Sequence, residues 1–161
     1  MDNDADFDWD QLGEIGGGVY SDAGAVFIVV ITLIAGNTIV NSPIYYDCNG
    51  TLEAYGLNLF GEKNGCNIPN ALNAGLILIN SIGPLQNNGG PTQTYALLLG
   101  SNAIDSTFDN LGCVDENGTK LTTDQRGFKR PVGIRCDVGA FEYSPLIISS
   151  QRYVYLPLTV R

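Results

Sequence analysis

The residues with the clearest capacity for chemistry are acids and arginines near the C-terminal end of the chain. The set consists of Asp105, Asp124, Arg126, Arg130, Arg135, Asp137 and Glu142. Such a set could eliminate across a sugar, with carboxylate-bound Ca²⁺ neutralising a uronate while an arginine removes a proton. That arginine would need a strongly lowered pKa, because guanidinium normally stays protonated above about pH 12. We therefore expect the arginines to pair with the carboxylates and fasten two irregular loops.

A second group of acids alternates along the N-terminal end, at Asp2, Asp4, Asp6, Asp8 and Asp10. Carboxylate oxygens are ligands for Ca²⁺, so these five residues are a candidate calcium site, and calcium is the one cofactor that the sequence suggests. The run lacks the turn glycine and closing glutamate of an EF-hand loop. We expect a frayed acidic terminus, or an acidic edge that discourages strand addition, and no bound cofactor.

Several function classes are excluded or disfavoured by composition. Histidine is absent, which excludes Ser-His-Asp catalysis, Cys-His catalysis and histidine-ligated metals. The net charge of −9 argues against a nucleic-acid partner. The apolar run from Ala25 to Ala35 is only eleven residues long. A membrane-spanning helix needs about twenty, so no transmembrane segment is expected.

The four cysteines form two locally spaced pairs, Cys48 with Cys66 and Cys113 with Cys136. No pair shows the two-residue spacing of a zinc ribbon. Two disulfides are the economical interpretation, each contributing about 3 kcal/mol, and four buried free thiols are the alternative. Disulfides indicate an oxidising, extracellular setting.

The elements that position these residues are predicted to be short strands. The chain has 20 Gly, 15 Asn and 24 Val plus Ile, but only five Glu, three Lys and one Met. This composition rules out a coiled coil, a helical bundle or a disordered chain. The predicted strands are Val26–Ile34, Leu52–Leu59, Leu76–Ile82, Tyr95–Leu99, Val138–Tyr143 and Tyr153–Val160. Their pattern is compatible with a sandwich, a barrel or a β-solenoid.

Four segments in order carry a resemblance to a known family. They are Gly83–Thr94 (GPLQNNGGPTQT), Tyr95–Asp105 (YALLLGSNAID), Asp124–Val132 (DQRGFKRPV) and Cys136–Glu142 (CDVGAFE). They resemble the C-terminal region of secreted bacterial right-handed parallel β-helix proteins with a choice-of-anchor Q domain, related to polymorphic outer-membrane-protein repeats. The resemblance covers about residues 16–143, and Gly16–Tyr20 and Asp47–Thr51 look like that family's last coils.

The resemblance implies an all-β fold, a right-handed parallel β-helix (β-solenoid), secreted or attached to a cell surface, with no established catalytic residues. Family members are much longer and carry a signal peptide, whereas Met1 is followed here by acids rather than a basic segment. We therefore expect a short C-terminal fragment of such a protein. It would comprise an acidic segment (1–15), coils with an irregular C-terminal cap (16–143) and a tail strand (144–161).

One departure from the family pattern predicts an interface. The family strand alternates Thr and Asn with aliphatic residues, whereas Phe27–Ile34 is almost wholly apolar. Phe27, Ile28, Val30 and Ile34 are therefore expected to form an apolar outer strip, which usually marks a contact surface. A second copy of the chain or further β-helix coils would cover it.

These observations favour a non-catalytic extracellular or cell-surface module with a structural or adhesin-like role. It is expected to self-associate as a homo-oligomer and to bind a glycan or another surface ligand. The alternative is a calcium-dependent, lyase-like β-helix enzyme acting on polysaccharides. Residues 20–100 carry only Asp22, Asp47, Glu53, Glu62 and Lys63 as charged side chains, which leaves little to line a catalytic groove.

Overall fold

The structure is a computed structural model, and it describes residues 17–22, 24–38, 47–108 and 112–145. Within these ranges the regular elements are nine short strands and two 3₁₀ turns, Ala71–Asn73 and Ile79–Ser81, with no α-helix. The strands are β1 (Val19–Tyr20), β2 (Phe27–Val30), β3 (Leu33–Ile34), β4 (Cys48–Tyr55), β5 (Asn58–Phe60), β6 (Cys66–Asn67), β7 (Ala74–Leu76), β8 (Ile82–Gln86) and β9 (Thr94–Leu97). The described part of the chain is all-β, as the composition predicts.

The first seven strands pair only in parallel. Strand β4 pairs with β1, β2 and β6, and β5 lies between β3 and β7. Phe27 is paired with Leu52, and Asn58 with Ala74, so the partners are 25 and 16 positions apart in sequence. The chain thus makes three parallel passes: β1 to β3 form the first, β4 and β5 the second, and β6 and β7 the third.

A corner divides each of the first two passes where the sequence predicted continuous strands. The predicted strand Val26–Ile34 is split at Ile31, which has a φ of 49°, and Leu52–Leu59 is split at Gly56, which has a φ of 66°. Ile31 donates its main-chain N–H to the carbonyl of Tyr55 at 3.3 Å, so the two corners remain hydrogen-bonded to each other. The break lets residues on both sides of the corner face the interior.

Two apolar clusters hold the passes together. The first contains Val29, Cys48, Leu52, Ala54, Phe60 and Ala74. The second contains Ile31, Leu59 and Ile77 from the region of the three passes, together with Leu97, Ala103 and Val138 from the C-terminal part. Both clusters draw on successive passes, so each pass buries its apolar side chains against its neighbours.

The C-terminal part departs from parallel pairing. Strands β8 and β9 are antiparallel, and the described chain after β9 is mostly loop. The predicted strand Val138–Tyr143 is wrong: residues 138–143 form no strand. The N–H of Val138 bonds to the carbonyl of Ala103 at 2.9 Å, and that of Gly139 to Ile31 at 3.0 Å. The loops after β9 therefore reach the first pass, and they contribute Ala103 and Val138 to the second apolar cluster.

Disulfides join Cys48 to Cys66 and Cys113 to Cys136, the pairs that the spacing predicts. The first links the second pass to the third, and the second links two C-terminal loops. Neither 3₁₀ turn of the described residues has the length and apolar character needed to cross a bilayer. The predicted acidic segment 1–15 and the tail strand Tyr153–Val160 lie outside the described residues.

Candidate functional site

The charged cluster includes a turn that begins at Asp124, and the side chain of this residue holds the turn together. The Oδ1 atom of Asp124 accepts the main-chain N–H groups of Arg126 at 2.9 Å and Phe128 at 3.1 Å. Gly127 closes the turn at a φ of 84°, a conformation that glycine adopts without strain. The sequence DENGT, beginning at Asp115, folds the same way: Asp115 Oδ1 accepts the N–H groups of Asn117 and Thr119. The two turns differ in burial, because Asp124 is 6% exposed while the Asp115 turn faces solvent.

The other oxygen of Asp124 binds an arginine inside the loops. Asp124 Oδ2 lies 2.8 Å from Arg126 Nε and 2.6 Å from Arg126 Nη2, and it accepts the N–H of Glu142 at 3.0 Å. Burial by itself would raise the pKa of Asp124, but the hydrogen bonds from Glu142, Arg126 and Phe128 outweigh it and lower the pKa. Asp124 is therefore held as a carboxylate facing a buried guanidinium.

Arg126 is enclosed by aromatic rings and carbonyls. Its guanidinium carbon lies 3.5 Å from the ring centroid of Phe141 and 4.7 Å from that of Phe128. Its Nη2 donates to the carbonyl of Glu142 at 2.7 Å. A Cβ at Gly90 would lie 2.5 Å from the Arg126 Cα, so glycine is required for this close approach. The flat face of the guanidinium thus contacts aromatic rings, and its N–H groups donate to Asp124 and to the carbonyl of Glu142.

A second buried pair lies beside the first. Arg130 Nε donates to Glu142 Oε2 at 2.8 Å, and Arg130 Nη2 donates to the carbonyls of Gly139 and Asp137 at 2.7 and 3.3 Å. Glu142 also accepts the N–H of Val132 at 2.9 Å and that of Asp137 at 3.2 Å. Glu142 is 1% exposed. The buried pair therefore joins the segment around Glu142 to the loop that contains Arg130 and Val132.

Asp137 and Asp105 complete the cluster through main-chain contacts. The Asp137 carboxylate accepts the N–H groups of Asp105, at 2.8 Å, and Tyr143. Burial, together with the negative charges of Glu142 and Asp105, raises the pKa of Asp137 to about 6. Asp105, whose φ is 52°, accepts the N–H of Arg135 on Oδ1 at 3.0 Å. The structure thus brings all seven sequence-predicted residues into one network.

Two arginines of this network are buried and hydrogen-bonded within the loops. Arg126 and Arg130 are 5% and 7% exposed, and their donors point at carboxylates and carbonyls. Within the described residues no three His, Cys, Asp or Glu side chains are arranged to hold a metal ion. The predicted calcium ligands Asp2, Asp4, Asp6, Asp8 and Asp10 lie outside the described residues.

Sequence analysis missed two buried polar residues that connect the passes. Asp47 is fully buried, and its carboxylate accepts the N–H and the amide of Asn37, both at 2.9 Å, and the N–H of Glu62 at 2.8 Å. Asn58, also fully buried, accepts the N–H of Thr32 and donates to carbonyls, including that of Asn73. These two residues could have been suspected from the sequence because they stand next to predicted turns, where Asn and Asp are common.

Three clefts lie between the passes and the C-terminal part, of which the smallest, of about 270 Å³, is bordered by Leu33, Leu97 and Val138, and the other two are larger. One of about 460 Å³ is bordered by Ile31, Leu33, Leu121 and the Cys113–Cys136 disulfide, and its charged lining residues Asp124 and Arg130 are already paired. The other, of about 670 Å³, is bordered by Val19, Ile34, Ile79 and Tyr95. Neither is a groove lined by rows of acids or arginines over its described residues.

The predicted apolar strip is narrower than expected. Phe27 and Ile28 are 46% and 54% exposed, whereas Val30 and Ile34 are half-buried against the core clusters. The corner at Ile31 turns the chain, so Ile34 faces the core rather than continuing the outward series. The exposed surface instead extends to Tyr20 and Val26, each 53% exposed.

Comparison of the chain with protein-family models, with curated proteins and with solved structures finds no match.

Proposed function

We propose that this chain is a segment of a right-handed parallel β-helix. Support comes from three consecutive passes that pair in parallel, with apolar clusters that run across them. Buried Asp47 and Asn58 bind all three passes at their corners, which suits a solenoid that repeats its turns. The four C-terminal motifs that resemble choice-of-anchor Q proteins are consistent with this assignment.

We propose that the chain is a non-catalytic module. The observation that carries this proposal is that Arg126 and Arg130 are buried and hydrogen-bonded. A lyase of this kind needs an arginine that can reach the substrate and, in its deprotonated form, accept the proton removed from the sugar. Arg126 and Arg130 are instead buried in ion pairs of 2.6 and 2.8 Å that hold the loops. If either arginine left its ion pair to act as a base, its partner carboxylate would remain buried without a cation.

The module is proposed to act outside the cell, in a structural or adhesive role on a surface or glycan. Its two disulfides fit an oxidising compartment. A rigid stack stabilised by disulfides and buried ion pairs is suited to presenting a fixed surface.

We further propose that the chain associates through its first pass. Phe27, Ile28 and their exposed apolar neighbours lie there, and among the described strands β2 pairs only with β4. The third pass is protected: Lys63 Nζ donates to the carbonyl of Ala74 at 3.0 Å, and Asn102 to that of Leu76 at 2.8 Å. Side chains on an edge carbonyl discourage strand addition.

Sedimentation velocity over a concentration series tests the association. The chain should form oligomers, and Ile28→Lys should shift it to monomer because a charge then enters the apolar surface. Ile134→Lys is the matched control, since Ile134 is 85% exposed on a C-terminal loop. A monomer at every concentration, or equal effects of both variants, would contradict the proposal.

An elimination assay tests the non-catalytic role. The purified chain, incubated with polygalacturonate and Ca²⁺, should form no unsaturated product detectable by ultraviolet absorbance. Calcium-dependent product would overturn the assignment and favour the lyase alternative.

A further inference from the structure

Four asparagines of the chain are each followed by a glycine: Asn49, Asn64, Asn88 and Asn117. In such a pair the main-chain nitrogen of the glycine can attack the side-chain amide carbon of the asparagine, because glycine has no Cβ to stand in the way. A bond forms from that nitrogen to Cγ, the Cγ–Nδ2 bond breaks, and ammonia leaves with the proton of the glycine N–H. Water then opens the cyclic imide at either carbonyl, which leaves aspartate or isoaspartate at the position.

Two of the glycine nitrogens are held in main-chain hydrogen bonds. The N–H of Gly50, in β4, donates to the carbonyl of Gly65 at 3.0 Å, and the N–H of Gly118 donates to the carbonyl of Asp115 at 3.0 Å. A nitrogen that already donates its proton is harder to deprotonate, and the hydrogen bond must break before the nitrogen can attack. Both pairs are therefore protected, although Asn117 itself is exposed.

A third pair is held by side chains. The N–H of Gly89 donates to Asn87 Oδ1 at 3.0 Å, and the Asn88 amide donates to the carbonyl of Thr94 at 2.6 Å. The attacking nitrogen and the amide that it would attack are thus both fixed. Reaction at Asn88 would have to break both hydrogen bonds.

Asn64 and Gly65 lack this protection. They are the central residues of an exposed turn, which is closed by the N–H of Cys66 donating to the carbonyl of Lys63 at 3.0 Å. The main-chain N–H of Asn64 donates to Glu62 Oε1 at 3.0 Å. Within the described part of the chain, neither the Gly65 N–H nor the side-chain amide of Asn64 makes a hydrogen bond. We propose that Asn64 is the preferred site of spontaneous deamidation among the four pairs.

The reactive turn joins two residues that stabilise the third pass. Cys66 is bonded to Cys48, and Lys63 Nζ donates to the carbonyl of Ala74 at 3.0 Å. Isoaspartate would add a methylene to the main chain between Lys63 and Cys66, and either product would add a negative charge beside Glu62. The modification therefore changes the turn between the disulfide and the protected edge, and it is independent of the proposed adhesive role.

Peptide mass spectrometry of the native chain, aged in mildly alkaline buffer, is the direct test. Amide loss at Asn64 should be about three to ten times faster than at Asn117, the change in rate expected for one net hydrogen bond. Asn49 and Asn88 should also react more slowly than Asn64. In urea with the disulfides reduced, the four rates should converge, because the glycine after each asparagine is then the main determinant. An equal or faster rate at any other pair in the native chain, or a ranking that persists in urea, would overturn the proposal.

Two variants separate the causes. Asp115→Ala removes the carboxylate that accepts the N–H groups of Asn117 and Thr119, so the turn before Gly118 should open more often. Asn117 should then lose its amide about three times faster, while the rate at Asn64 stays the same. Asn64→Gln is the matched control, because a longer amide forms the ring much more slowly. It should remove most of the isoaspartate from the aged chain and leave the rate at Asn117 unchanged. No acceleration at Asn117 in Asp115→Ala, or an isoaspartate content unchanged by Asn64→Gln, would contradict the proposal.

Discussion

Replacing Asp124 by alanine tests how much the buried ion pair contributes to the fold. The change leaves the Arg126 guanidinium, which is 5% exposed, without its counter-ion, and it frees the N–H groups of Phe128 and Glu142. Breaking a buried pair from one side costs about 3–5 kcal/mol. Since domains of this size unfold with about 5–15 kcal/mol, the loss should be a large share of the total.

Urea unfolding followed by far-ultraviolet circular dichroism measures this loss. With a slope of about 2 kcal/mol per molar urea, the midpoint should fall by about 1.5–2.5 M. Asp115→Ala is the matched control, because Asp115 makes the same two turn hydrogen bonds but has no buried arginine. It should cost less than about 1 kcal/mol. Losses that agree within error for the two variants would refute the role assigned to the ion pair.

A double variant separates the pair from its two members. Asp124→Ala combined with Arg126→Met removes both charges and leaves an apolar side chain where the guanidinium contacts Phe128 and Phe141. It should be more stable than Asp124→Ala alone, because no unpaired charge is left in the loops. A double variant as unstable as the sum of the two single variants would contradict the pairing argument.

Three further outcomes are expected. Because the pKa of Asp124 is lowered in the folded chain, its contribution to stability should be present above pH 3.8 and lost as the pH falls below that value. The measurement is the unfolding midpoint as a function of acid pH, in the parent chain and in Asp124→Asn. Cys113→Ser with Cys136→Ser should lower the free energy of unfolding in urea by about 3 kcal/mol. With both chains reduced, variant and parent should be equally stable. Asp47→Ala should lower the thermal midpoint, because three half-buried donors lose their buried acceptor. Glu53→Ala, on an exposed residue, should leave the midpoint unchanged.

The sequence predicted those features that depend on residue type and spacing. The cysteine spacing predicted both disulfides, and the acids and arginines near the C-terminal end do form one network. The abundance of Val, Ile, Gly and Asn predicted an all-β chain of short strands.

Other features depend on tertiary contacts that no local pattern reports. The left-handed corner at Ile31 interrupts an apolar run, and a β-branched residue gives no local signal for such a φ. Residues 138–143 look like a strand, but the N–H groups of Glu142 and Tyr143 bond to the carboxylates of Asp124 and Asp137. Asp124 comes from an earlier loop and Asp137 directly precedes the segment, so carboxylates replace the neighbouring strand that the pattern predicted.

Through-hydrogen-bond NMR couplings test the central claim, the parallel stacking of the three passes, most directly. Couplings are predicted between the amide nitrogen of Leu59 and the carbonyl carbon of Thr32, and between the nitrogen of Ile77 and the carbonyl carbon of Phe60. Strong Hα–Hα cross-peaks between neighbouring strands in residues 19–76, which arise only from antiparallel pairs, would contradict the account.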